Sequence, residues 1–114
     1  MLRTAAILFA IAAVGGIVLA SVRFLQKRNP PSWLALLHGL LAAAGLTLLL
    51  YATFAAGLPG MANTGLVLLA LAALGGLILN QNYQWKAVLL PAGLVVGHAL
   101  LAVVGFVLIL VAAF

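Results

Sequence analysis

The sequence predicts an all-α membrane protein: four transmembrane helices in an up-down bundle, built from two tandem helical hairpins in parallel orientation. Three observations carry this. Of the 114 residues 68% are hydrophobic; there is no Asp or Glu; and the chain aligns with itself without gaps at an offset of 60 residues. A soluble domain carries about a quarter charged residues, against 4% here, so lipid rather than water is the expected solvent. Inside lipid every backbone amide must be satisfied within its own segment or in a closed barrel, and these apolar runs are too long and continuous for barrel strands.

A bilayer core of about 30 Å takes roughly 20 apolar residues of helix, and four such stretches are expected, at Thr4–Val22, Trp33–Phe54, Thr64–Leu79 and Ala87–Phe114. The first begins with Arg3 and ends in Val-Leu-Ala-Ser, a pattern shared with cleavable signal peptides. It also matches the third stretch position by position, so it is read as a retained helix.

The alignment places MLRTAAILFAIAAVGGIVLA on MANTGLVLLALAALGGLILN, and PSWLALLHGLLAAAGLTLLLYATF on PAGLVVGHALLAVVGFVLILVAAF. Leu and Ala agree by chance in such a composition, so the weight lies on rarer residues. Met1, Thr4, Gly15, Gly16, Pro31, His38, Gly45 and Phe54 match Met61, Thr64, Gly75, Gly76, Pro91, His98, Gly105 and Phe114. Residues 1–54 and 61–114 are therefore expected to be two hairpin repeats joined by a linker, 55–60, whose Gly57, Pro59 and Gly60 read as a turn. Two spans per repeat give both the same orientation, related by a pseudo-twofold axis along the membrane normal. The shared positions recur every three or four residues: Pro31, Leu34, His38, Leu41, Ala42, Gly45, Leu48 and Ala52 on the second segment, and Met1, Thr4, Leu8, Ala12, Gly15 and Leu19 on the first. These are the expected inward faces, with small residues allowing close helix contact.

Arg23, Lys27 and Arg28 lie between the first and second segments, Lys86 between the third and fourth, and only Arg3 at the other end. The positive-inside rule puts both basic loops in the cytoplasm and both termini in the periplasm of a bacterial inner membrane. The same charges are thus a topology signal, not a nucleic-acid surface. Trp33, Tyr83 and Trp85 near the basic loops, and Tyr51, Phe54 and Phe114 at the opposite ends, suit two interfacial aromatic belts. The polar run from Asn80 to Gln84 reads as a solvated loop, with quinone-headgroup or partner contact as a minor alternative.

Several chemistries are excluded by composition. Without carboxylates there is no acidic relay for proton- or cation-coupled transport. Without cysteine there is no thiolate metal site, iron-sulfur cluster or covalently attached haem. Ser21 and Ser32 have no credible base beside them, so no catalytic residue is assigned.

His38 and His98 remain. Ionisable groups in membrane helices face the bundle interior, and seven residues beyond Pro31 places His38 about 10 Å along its helix. In an up-down bundle the second and fourth helices are diagonal, about 12–14 Å apart, a gap suited to two imidazoles reaching one haem iron from opposite sides. Gly45 and Gly105, two turns further along the same face, would leave room for the macrocycle edge. Arg23, Lys27, Arg28 and Lys86 are candidate partners for haem propionates or lipid headgroups. On this histidine pair the arrangement is broadly similar to four-helix b-type cytochromes of membranes.

The expected function is a small membrane cytochrome with one haem b, exchanging single electrons with a quinol or a protein partner. Its competitor is a non-catalytic accessory subunit of a larger membrane complex, or a homo-oligomer, in which the histidines are structural. Chlorophyll ligation, a bare metal ion held by two histidines, and a small dimeric transporter rank below these.

Overall fold

The computed structural model describes residues 1–114 and is entirely helical. Helix α1 spans Leu2–Leu25, α2 Ser32–Ala56, α3 Gly60–Leu79 and α4 Ala92–Ala113. Each, α3 together with the turn that extends it, is long and apolar enough to cross a membrane. The molecule measures 42 × 20 × 19 Å, and its long axis matches a bilayer of about 40–45 Å including headgroups.

Three of the helices, α1, α2 and α3, run beyond the expected apolar stretches because the helix persists until a specific stop, whereas α4 is shorter than expected. α2 and α4 start directly after Pro31 and Pro91, whose extended backbones (ψ 135° and 127°) precede the first helical residue. This corrects the fourth segment: its start moves from Ala87 to Ala92. Ala87 lies in the left-handed region (φ 54°) and ends the preceding turn, and Val88 to Leu90 run on to Pro91 outside any helix. Asn80–Gln84, expected as a loop, instead forms a π-helical turn that continues α3. Its Val88 N–H donates to Tyr83 O at 2.9 Å, closing the end of the turn.

α1 and α2 pack most closely, as do α3 and α4; α1 also meets α4, and α2 meets α3. α2 and α4 are therefore diagonal. At one end Arg3 Nε donates to Ala113 O at 3.1 Å, and its guanidinium lies 5.3 Å from the Phe114 ring centre. At the other end the two connections bind each other. Asn29 Nδ2 donates to Val88 O (2.7 Å), Asn29 Oδ1 accepts from Leu90 N (2.9 Å), and Gln84 Nε2 donates to Pro30 O (2.6 Å).

The bundle is small inside and large outside. Ala5, Ala6, Ala12, Gly45, Ala52, Ala62, Gly65, Ala72 and Gly105 are buried, whereas Ile7, Ile11, Val14 and Ile17 on α1, and Val67, Leu71 and Leu74 on α3, are exposed. Lipid tails solvate these large side chains as well as a protein core would, so close approach of backbones is what drives association. No residue of the predicted α2 face is exposed, although only Gly45 and Ala52 of it are buried and the fully buried Leu49 lies outside it; the predicted face of α1 fits less well. Thr4 is exposed, and the buried stripe runs through Ala5, Ala6, Phe9 and Ala12. A threonine in lipid needs no inward partner when its hydroxyl can reach the preceding turn; Thr64 Oγ1, for example, donates to Gly60 O at 3.1 Å.

One apolar cluster, Ala5, Ala6, Phe9, Leu49, Ala62, Leu66, Leu69 and Ile109, fills the half near the termini. A smaller one, Leu79, Leu90 and Val95, closes the half near the connections.

Candidate functional site

A polar layer crosses the bundle within this apolar frame. His38 on α2 and His98 on α4 reach inward from diagonal helices, and their ring centres are 6.2 Å apart with planes at 77°. His38 Nδ1–H donates to Ala12 O of α1 at 2.7 Å, and His98 Nδ1–H to Ala72 O of α3 at 2.6 Å.

These bonds fix the chemistry of the rings. A carbonyl oxygen only accepts, so Nδ1 carries the proton, and in the neutral imidazole the lone pair is then on Nε2. Nε2 lies across the ring from Nδ1, away from the bond that holds it. Neither Nε2 has a protein hydrogen-bond partner. The one fully buried side-chain nitrogen or oxygen left without a partner is Gln84 Oε1. A backbone carbonyl on Nδ1–H and a free Nε2 is how metal-binding histidines are commonly oriented.

The carbonyls are accessible because α1 and α3 carry glycine pairs at this level. A Cβ on Gly16 would meet His38 Cε1 at 3.1 Å, and one on Gly76 would meet His98 Cε1 at the same distance. A Cβ on Gly15 would meet His38 Cβ at 3.7 Å, and one on Gly75 would meet His98 Cβ at 3.6 Å. The imidazoles thus lie over bare backbone, in the volume that side chains would otherwise occupy.

The separation is informative. Two imidazoles on opposite sides of one metal centre, each with a metal–nitrogen bond of about 2 Å and about 1 Å more to its ring centre, place those centres about 6 Å apart. At 6.2 Å and 77° the two rings also approach each other edge to face, so the imidazoles themselves close the diagonal gap between α2 and α4.

The other expected site residues are distributed differently. Gly45 and Gly105 lie on the same face as the histidines, and the space they leave is taken by protein. A Cβ on Gly45 would come within 2.8 Å of Phe9 Cζ, and one on Gly105 within 2.9 Å of Leu69 Cγ and 3.1 Å of Gly65 O. Arg23 Nε is engaged with Leu90 O at 2.6 Å, and Arg28 Nε with Gln26 Oε1 at 2.8 Å. Lys27 and Lys86 are exposed and make no hydrogen bond within the chain. Four residues that matter here were not assigned to the site from sequence: Ala12, Ala72, Gly16 and Gly76. The two glycines had a signal, since Gly-Gly recurs at the 60-residue offset. Ala12 was expected on the inward face for its small size, but nothing in the sequence marked the carbonyls of Ala12 and Ala72 as the histidines' partners.

Compared with known proteins, the chain matches no family model, no curated protein and no solved structure.

Proposed function

We propose that the protein is a small integral membrane b-type cytochrome, in which His38 and His98 hold one haem between α2 and α4 for single-electron exchange with a quinol or a protein partner. The observation that carries the reading is the imidazole pair: ring centres 6.2 Å apart across the bundle, each Nδ1–H bound to a carbonyl and each Nε2 free. Haem iron accepts two neutral imidazole ligands, and the protein would tune it through the hydrogen bonds on Nδ1 and the apolar surroundings. When bound, the haem supplies the one-electron chemistry. This chain's residues orient the two ligands, fix their tautomer and exclude water with the apolar clusters on either side.

The chain is read as two tandem hairpins in parallel orientation, residues 1–54 and 61–114. Features offset by 60 residues support this: the histidine bonds to Ala12 and Ala72, the glycine contacts at Gly16 and Gly76, and the left-handed residues Lys27 (φ 53°) and Ala87 (φ 54°). The basic connections are assigned to the cytoplasm and both termini to the periplasm of a bacterial inner membrane, on the excess of Arg and Lys at one end.

A second reading, an accessory subunit with structural histidines, is favoured by the close fit of each ring over its glycine and by the Phe9 ring filling the face of Gly45. The two separate by colour. Protein purified in mild detergent from haem-replete cells is expected to show a Soret band that shifts on reduction and is lost in His38→Ala. A folded, colourless preparation overturns the cytochrome reading and leaves the accessory one.

A further inference from the structure

The end of the bundle that carries the two connections has a charge problem that the chain does not solve internally. There is no carboxylate side chain anywhere, so no cation has an ion-pair partner among the side chains. Arg3 is at the opposite end. Arg23 turns inward to Leu90 O, and Arg28 uses its Nε on Gln26. Lys27 and Lys86 remain exposed, with no hydrogen bond in the chain.

The contacts between the connections bring these cations to one seam. Asn29, which follows Lys27 and Arg28, is bonded to Val88 and Leu90, which follow Lys86. Gln84, just before Lys86, is bonded to Pro30. Along the seam runs a shallow cleft of about 310 Å³ lined by Asn29, Gln84, Ala87 and Leu89. Its apolar wall, Leu89, is half exposed, and Trp33 and Trp85 stand out nearby with about two thirds of their surfaces exposed.

We infer that this seam binds the phosphate headgroup of an anionic phospholipid, with Lys27, Arg28 and Lys86 around the phosphate and Leu89, Trp33 and Trp85 against the glycerol and upper acyl region. The helices span a bilayer's thickness, so the seam sits at headgroup depth, where Lys and Arg attract anionic lipid and Trp prefers to lie. A free phosphate ion would use the cations but gain nothing from the apolar wall or the indoles. The site is independent of the histidine pair.

The test counts lipids retained by the full chain in native mass spectrometry, after mixing detergent-purified protein with phosphatidylglycerol or phosphatidylcholine. Phosphatidylglycerol is expected to be retained about tenfold better, since each lysine near the surface contributes on the order of a few-fold. The double variant Lys27→Gln/Lys86→Gln should lose most of that preference, Arg28 retaining at most a few-fold, with unchanged helical circular dichroism, while Lys27→Arg/Lys86→Arg and the far-end control Arg3→Gln keep it. Equal retention of both lipids, or an undiminished preference in the Gln double variant, overturns the inference. Displacement of the lipid by millimolar inorganic phosphate overturns its lipid source.

Discussion

At the scale of single residues, the most informative positions are those where a missing or extra Cβ decides the packing. Gly45 faces the Phe9 ring so closely that an added methyl would sit 2.8 Å from Cζ, and a ring wedged in a bundle can move only by displacing its neighbours. Gly45→Ala is expected to destabilise by about 1–3 kcal/mol, as over-packing generally does, read as a lower melting temperature in detergent. Adding Phe9→Leu should recover part of the loss; a Gly45→Ala melting temperature equal to wild type would show that the contact is slack. Ala87 offers the opposite case. At φ 54° its Cβ is strained, and nothing in that conformation needs a side chain. Ala87→Gly is expected to raise stability by up to about 1 kcal/mol, the strain relieved being partly offset by the greater freedom glycine has when unfolded. An unchanged or lower melting temperature would count against that strain.

Which of these residues the sequence could reveal follows from what kind of group acts. His38, His98 and the Gly-Gly pairs stand out as rare letters repeated at one offset, so their importance was readable. The bonds that orient the imidazoles end on the carbonyls of Ala12 and Ala72, groups every residue possesses, so only coordinates could pick them out. Gly45 and Gly105 were readable as absent side chains, but not what fills the vacated volume. That depends on Phe9 and Leu69, which sit on other helices.

At the scale of elements, the spans were legible because lipid forces helices, and their ends were less so because stops are made by particular backbone conformations. The polar letters of Asn80–Gln84 suggested a loop by composition. The chain instead keeps helical hydrogen bonding as a π turn, which swings Gln84 toward Pro30 of the other connection. A contact between two connections 54 residues apart in sequence leaves no periodic trace. Asn29 is the centre of that contact, offering one donor and one acceptor to the segment Val88–Leu90 as a neighbouring backbone would. Asn29→Ala removes both bonds and leaves the Leu90 N–H unpaired, a loss of about 1–3 kcal/mol. Hydrogen exchange should quicken at the Leu90 amide while the far end, where Arg3 meets Ala113, stays protected. Equal acceleration at both ends would mean the hairpins part as a unit and that the clasp holds more than its own end.

At the scale of the whole molecule, a bundle of helices lined with alanine and glycine packs tightly by backbone proximity, and against that background a layer holding two half-buried imidazoles is a departure. Polar groups inside a membrane are expensive unless satisfied, and each ring is satisfied at one nitrogen only. Under the proposed cytochrome reading, the two Nε2 lone pairs in this layer would be the ligands of one haem iron. The most direct test is electron paramagnetic resonance of the oxidised protein purified from haem-replete cells, with haem and chain quantified in the same sample. The account predicts one haem per chain and a low-spin ferric signal, with haem and signal both lost in His98→Ala as in His38→Ala. A folded protein with no ferric signal, or a low-spin signal that survives both His38→Ala and His98→Ala, would contradict it.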